Sequence, residues 1–338
     1  MIEMRKPYLL FVGDIAKNLQ AKTAFGIRDW ARDACIGQFR LNENAVDLGL
    51  PNLAPEAAAM QGAGSLVIGV APIGGQIPPA WHSALLAAAR AGLDIVSGMH
   101  TLLADVPHLA ETARTSGARL VDVRVPPRDI PVASGRKRTG RRLLTVGTDC
   151  ALGKKYTALA LTAALRSAGA DVDFRPTGQT GIIIAGSGIP MDAVVTDFIA
   201  GAAEMLSPDA QETHWDVIEG QGAIYHPAFA GVTLGLIHGS QPDVLVLCHE
   251  PGRDHFHSFP DFPTRSMGEV AGACLDAARV TNPLARLGAV SLNTSRLDDA
   301  ACAQALDRAS AALGVPAFDP MRTSMEAAVT SILGSSRG

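Results

Sequence analysis

An apolar run, Leu143-Leu144-Thr145-Val146, enters a glycine-bounded loop, Gly147-Thr148-Asp149-Cys150-Ala151-Leu152-Gly153. The loop opens onto Lys154-Lys155-Tyr156-Thr157 and an Ala/Leu-rich stretch with helical spacing from Ala158 to Ala168. The order is strand, phosphate loop, helix, and it commits this half of the chain to a layered α/β architecture. In such a loop successive backbone N–H groups, the helix N-terminus and a lysine ammonium converge on one anion. Gly147, Thr148, Gly153, Lys154, Lys155 and Tyr156 are therefore the candidate residues for holding a ligand that carries a di- or triphosphate.

Two departures from the ordinary pattern narrow the chemistry. Five residues rather than four separate the glycines, and Lys155 stands where Ser or Thr usually supplies an oxygen to magnesium. Magnesium takes hard oxygen ligands in near-octahedral geometry, whereas a lysine supplies none and its ammonium repels the ion. Thr157 lies two residues further on, where its hydroxyl faces elsewhere. The loop suits holding phosphates better than transferring one, and no metal is expected to be strictly required.

The fold class expected for the whole chain is α/β, with two domains. Residues 1–130 read as a Rossmann-like α/β domain, with strands at Tyr8–Val12, Ser65–Ala71, Asp94–Ser97 and Leu120–Val125 and a helix over Trp81–Ala91. No G-x-G-x-x-G follows the first strand, so the dinucleotide fingerprint is absent. Three prolines between Pro126 and Arg142, with the basic run Arg136-Lys137-Arg138-Thr139-Gly140-Arg141-Arg142, mark an interdomain linker over residues 131–142, either solvated or a cationic rim for a phosphorylated ligand. Residues 143–338 read as a P-loop NTPase-like, doubly wound parallel-sheet domain. Its strands are expected at Leu143–Val146, Asp171–Phe174, Trp215–Glu219, Val244–Cys248, Gly288–Leu292 and Val315–Phe318.

Composition bounds the partners. With 338 residues, 47% hydrophobic and 18% charged, the chain can bury two cores. A net charge of -4 argues against a general nucleic-acid binder, and 5% aromatics leave little for stacking single strands. The five cysteines are scattered with no C-x-x-C pair, which reads as free thiols of a reducing compartment. The first residues lack a signal-peptide apolar core, and no apolar run approaches the roughly 18 residues that span a bilayer. A cytoplasmic protein without nucleic-acid or membrane partners is expected, with a homo-oligomer as its assembly.

Motifs at the other strand ends sharpen the reading. Asp171-Val172-Asp173-Phe174 runs into Arg175-Pro176-Thr177-Gly178-Gln179-Thr180-Gly181, Trp215-Asp216-Val217-Ile218 into Glu219-Gly220-Gln221-Gly222, and Ala289-Val290-Ser291-Leu292 into Asn293-Thr294. Together with the phosphate loop these resemble dethiobiotin synthetase and its P-loop relatives. That resemblance implies that Lys154 touches phosphates, Glu219 helps hold a metal and Asn293 approaches a nucleotide base. Over nearly the full length, Gly-Val-Ala-Pro-Ile-Gly-Gly-Gln at 69–76, Gly98-Met99-His100, Gly147-Thr148-Asp149-Cys150, Gln179-Thr180-Gly181, Glu219-Gly220-Gln221-Gly222 and Cys248-His249-Glu250-Pro251-Gly252-Arg253 resemble the D-glutamate N-acetyltransferase family. This implies transfer of an acetyl group from acetyl-CoA, as co-substrate, to the amino group of D-glutamate, a step of D-amino-acid catabolism. The pyrophosphate and 3′-phosphate of coenzyme A suit a phosphate loop that lacks its magnesium hydroxyl.

Acetyl transfer to an amine needs a deprotonated amine, an oxyanion donor and orientation of both substrates. Asp149, Glu219 and His249 are the candidate catalytic residues, Asp149 being either the base or a helix cap. Arginine forks match the two carboxylates of glutamate, so Arg253 and Arg175 are expected to read the acceptor, with Gln179 and Thr180 beside them and Arg265 a further strand-end arginine. The His249–His257 stretch is either an acid–base and substrate loop or an exposed one, and its irregular histidine spacing argues against zinc. Cys150 is a filler or a helix-N-terminal thiol of lowered pKa, and His100 either faces the cleft or is buried. Two other readings remain open at this point: a Mg-ATP-dependent ligase or kinase of the dethiobiotin synthetase type, and a non-catalytic nucleotide-binding sensor.

Overall fold

The computed structural model describes residues 2–70, 72 and 75–334. They form two compact units, one built from residues up to Pro127 together with Gln179–Ala193, the other from Arg128–Gly178 and from Val194 onward.

The N-terminal unit holds a five-stranded parallel sheet. Its strands are β1 (Tyr8–Gly13), β2 (Cys35–Arg40), β3 (Ser65–Ile68), β4 (Asp94–Ser97) and β5 (Leu120–Asp122), in the order β2-β1-β3-β4-β5. Helices Lys22–Trp30, His82–Arg90 and Leu109–Ser116 follow β1, β3 and β4. Strands β1, β3 and β4 are buried along their whole length, as continuous apolar runs in a parallel sheet require. Sequence pattern did not reveal β2, whose Gln38 reads as polar. Gln38 is nonetheless buried, because its amide donates to Asp47 and the Leu50 carbonyl while its Oε1 accepts from the Leu48 N–H. The expected strand Ser65–Ala71 ends at Ile68, and Ala71, Ile73 and Gly74 of the 69–76 motif lie outside the described residues.

The segment Gln179–Ala193 departs from the expected division of the chain. Its helix, Gln179–Ala185, and the pairing of Ser187–Gly188 with Ile2–Glu3 belong to the N-terminal unit. The Tyr8 hydroxyl donates to the Ile183 carbonyl at 3.1 Å, and Arg124 pairs with Asp192 at 3.0 Å. Burial of Ile182, Ile183 and Ile184 decides the matter, since this apolar triplet needs a core.

The C-terminal unit holds β6 (Arg141–Gly147), β7 (Val172–Arg175), β8 (Trp215–Ile218), β9 (Val244–His249), β10 (Arg286–Leu292) and β11 (Ala317–Phe318). All run parallel in the order β11-β10-β9-β6-β8-β7. The α/β class expected from the alternation of elements is the observed one. Leu143, Val217, Val246 and Ala289 from four strands meet Ala158, Leu161 and Leu165 of helix Lys154–Ser167 in its core.

The basic run divides: Arg136 and Lys137 are exposed, as a solvated linker would have them, whereas Arg138 and Arg142 turn inward. Arg138 and Arg142 are buried at the foot of β6, about 16 Å of strand away from Gly147 by the usual rise per residue. Arg142 donates to the Ser207 hydroxyl and to the carbonyls of Arg138, Thr139, Gly140 and Pro208; Arg138 donates to the carbonyls of Ser207 and Gly239. Burial pushes both guanidiniums below their ordinary pKa, Arg138 to about 10. The charges are structural cross-links, drawn inward because they satisfy a dense set of backbone acceptors.

Candidate active site

Chain order within the C-terminal sheet reverses between β6 and β9, whose onward connections leave on opposite sides, and in open α/β sheets ligands collect at the strand C-termini of such a position. The phosphate loop leaves β6 there, with Gly147 as its last strand residue and Gly153 at a φ of 105°, a left-handed conformation suited to glycine. Lys154 begins the helix, is buried, and its Nζ donates to the Asp149 carbonyl at 2.8 Å. Thr148 is held on β9, its N–H donating to the Cys248 carbonyl and its hydroxyl meeting His249 Nδ1 at 2.9 Å. The Thr157 hydroxyl points to Ser291 at 2.7 Å, inside the sheet–helix layer, and so cannot replace the missing metal-binding hydroxyl. Lys155 sets its ammonium 4.7 Å from the centre of the Tyr156 ring.

Glu219, at the end of β8, is buried against the loop. Its Oε2 accepts from the N–H groups of Thr177 at 3.1 Å and Gly178 at 3.2 Å. Its Oε1 lies beside Gly178, where an added Cβ would come within 3.2 Å of it. Gly220 is compulsory at the next position, because an added Cβ would fall 1.6 Å from the Thr145 carbonyl of β6. Burial pushes Glu219 up and Lys154 down, each toward its neutral form. His249 ends β9 and is likewise pushed down, by burial and then by Arg253, toward its neutral form. Asn293, just past β10, donates its N–H to the His249 carbonyl. Asp149, Glu219, His249, Lys154 and Asn293 thus all sit at the C-terminal ends of strands in one sheet.

The two expected acceptor arginines do other work. Arg253 Nη1 donates to Asp149 Oδ2 at 2.9 Å and to the Cys150 carbonyl at 2.8 Å, while its Nη2 pairs with Glu250. Its fork is therefore spent on two buried carboxylates, and it ties the β9 loop to the phosphate loop. Arg175 turns back along the sheet to Asp216 at 2.6 Å and Asp173 at 3.1 Å, away from the strand C-termini. Gln179 and Thr180 are placed in the N-terminal unit, Gln179 against Gly98 and Thr180 Oγ1 at 3.1 Å from Thr23 Oγ1. Burial pushes the Cys150 thiol up, opposite in direction to the lowered pKa expected of a helix-N-terminal thiol. His100 is exposed, and Arg265 is an exposed partner of Glu269. Replacing Arg253 with alanine is expected to cost about 2–3 kcal/mol of stability and to loosen the phosphate loop, because two carboxylates lose their shared cation. Thermal unfolding checks this; a Tm within about 2 °C of the parent would remove the role.

Sequence reasoning missed His226, on the loop between β8 and helix Ala230–Ser240. It is fully buried, stacked among Phe229, Phe256 and Phe259, and faces Asp149. A single histidine flanked by Tyr225 and Pro227 carries no spacing signal; only the fold brings it to the phosphate loop. Beyond Glu250 the His249–His257 stretch takes the exposed alternative, entering a short hairpin, His255–Phe256 with Phe259–Pro263, with His255 and His257 exposed.

Residues 131–329 match the C-terminal P-loop domain of DUF1611, a domain of unknown function, and residues 40–126 match its N-terminal Rossmann-like domain. The chain belongs to the DUF1611 family. A crystal structure of a DUF1611 protein from Anabaena variabilis ATCC 29413 is 32% identical, with a TM-score of 0.84 over 98% of this chain and 100% of that one. Two full-length relatives carry a named activity. A D-glutamate N-acetyltransferase of Tritonibacter scottomollicae is 46% identical over 94% of this chain and 95% of the relative. Another of that name, from a Pseudoalteromonas species, is 43% identical over 98% of this chain and all of its own length. By this kinship the DUF1611 protein described here is an N-acetyltransferase, which sets aside the ligase and sensor readings. Among the described residues, no helix is long and apolar enough to cross a membrane.

Proposed function

We propose that the protein transfers the acetyl group of acetyl-CoA to the amino group of D-glutamate, releasing N-acetyl-D-glutamate and coenzyme A. The acceptor follows the activity named for the two relatives. The observation that carries the donor is the phosphate loop itself. Lys154 begins its helix, Lys155 occupies the magnesium position, and the Thr157 hydroxyl is committed to Ser291. Such a site offers two cations and several backbone N–H groups to phosphate oxygens and no hydroxyl to a metal.

Within that reading, Lys154, Lys155 and the loop amides anchor the phosphates of the donor. Glu219 is the leading base for the acceptor's ammonium, because a buried carboxylate with a raised pKa takes a proton more readily than an ordinary one. His249, neutral and bonded to Thr148, stands on the other side of β6 as a second proton-handling group. None of these roles strictly requires a metal.

Free-thiol release from acetyl-CoA, followed with a panel of D- and L-amino acids in EDTA and without nucleotide, tests the reaction. Release with D-glutamate is expected under those conditions; a strict requirement for Mg-ATP would overturn the reading. Lys154→Ala removes a charge-assisted contact worth about 1.5–3 kcal/mol, so acetyl-CoA affinity is expected to fall about ten- to hundredfold by calorimetry. Unchanged binding in that variant would detach the donor from the loop.

A further inference from the structure

The ring of His226 is held in one orientation by its Nδ1, which accepts from the N–H groups of Ala228 at 3.1 Å and Phe229 at 3.2 Å. A ring nitrogen that accepts cannot carry the proton, so in the neutral imidazole the hydrogen sits on Nε2. Burial pushes His226 below its ordinary pKa, which keeps the ring neutral. That Nε2 is buried and has no hydrogen-bond partner. It faces Asp149 Oδ1 at 3.7 Å, outside hydrogen-bonding range.

Asp149 is the natural recipient. Its Oδ1 accepts from the Cys150 N–H at 2.6 Å, and its Oδ2 from Arg253 at 2.9 Å and the His257 N–H at 2.8 Å. One acceptor position, on Oδ1, is left toward His226. A metal shared by Asp149, Cys150 and His226 is the competing assignment, since ligand atoms of the three lie within 4.8 Å of one another. The tautomer disfavours it: a metal on Nε2 needs the proton on Nδ1, where two N–H donors already point.

We propose that His226 is a positioning residue of the phosphate loop, a neutral Nε2–H donor that closes onto Asp149 when the loop grips the phosphates of its ligand. The link is Lys154, whose ammonium is bonded to the carbonyl of Asp149 itself. A phosphate competes for that ammonium and releases the Asp149 peptide. A movement of about 0.8 Å then brings Oδ1 into ordinary bonding distance of His226. Loop closure gains a hydrogen bond to a carboxylate that the open loop lacks, and ligand binding is strengthened by that amount.

This inference rests on the phosphate loop being the coenzyme A site, and the test separates the two. Nitrogen-15 spectra of the histidine-labelled full-length protein report the tautomer of His226 directly, with or without ligand. An Nε2-protonated ring is expected, with its Nε2–H proton moving downfield on addition of coenzyme A. Proton occupancy of Nδ1, or a zinc-induced shift of the Nε2 signal, overturns the proposal whatever the loop binds. In calorimetry, His226→Phe is expected to weaken coenzyme A about tenfold, with kcat at saturating donor little changed. His226→Gln, which keeps an N–H near the Nε2 position, should stay within about threefold of the parent. Equal affinity in His226→Phe and the parent overturns the role of His226. Failure of the parent to bind coenzyme A removes the donor assignment, and the tautomer and zinc measurements still decide the ring's state. Should His226→Phe not fold, the Gln variant and the parent spectra carry the test.

Discussion

Glu219→Gln is expected to lower kcat by about 10²- to 10⁴-fold while leaving the protein folded and able to bind acetyl-CoA. The glutamine keeps a carbonyl oxygen for the N–H groups of Thr177 and Gly178, so the local backbone need not move. What it loses is the ability to take a proton from the acceptor. The parent's pH profile carries a second signature of the same residue. Glu219 must be ionised to act as base, and burial raises its pKa above the ordinary glutamate value. Activity should therefore fall as pH is lowered through that raised pKa, an acid limb lying at higher pH than an unperturbed glutamate would give. Stability has the opposite sign. A folded-state pKa above the unfolded one gives a contribution present at acid pH and lost as pH rises through the folded value. Normal kcat in the glutamine variant would move the base elsewhere, with His249 the next residue to test.

Arg142→Ala should destabilise the protein by about 3–5 kcal/mol, a fall in Tm of about 6–20 °C for a unit of this size. Arg142 is 0% exposed and donates to five acceptors. One of them, the Ser207 hydroxyl, passes a hydrogen bond on to Asp216 at 2.6 Å, which in turn holds Arg175. Alanine leaves the Pro208 carbonyl without its donor, leaves the Thr139 carbonyl only the Ala210 N–H, and opens a hole at the foot of β6. The lesion lies at the opposite end of that strand from Gly147, so the variant should turn over normally below its lowered Tm. Calorimetric unfolding and assay at low temperature separate the two properties. A Tm change below about 2 °C would show that this polar network does not hold the sheet together.

The sequence by itself determined the α/β class, the phosphate loop and most strands, for one physical reason. Parallel strands buried on both faces are short continuous apolar runs, and Tyr8–Val12, Leu143–Val146, Trp215–Ile218 and Val244–Cys248 are visible as such. Lys154 and Glu219 were legible too, because a polar residue just beyond such a run lands at the sheet's C-terminal edge. Tertiary structure alone decided what the charges do. Arg253, Arg175 and Arg142 look alike in sequence, as cations near strand ends, yet each is held by partners distant along the chain: the carboxylates of Asp149 for Arg253 and Asp216 for Arg175, and the Ser207 hydroxyl and Pro208 carbonyl for Arg142. Placement of Gln179 and Thr180 in the N-terminal unit, and of His226 under the phosphate loop, depended likewise on which core buried the neighbouring apolar residues. Local pattern reports period and propensity, whereas a side chain's partner is set by contacts between segments that the pattern of either one does not contain.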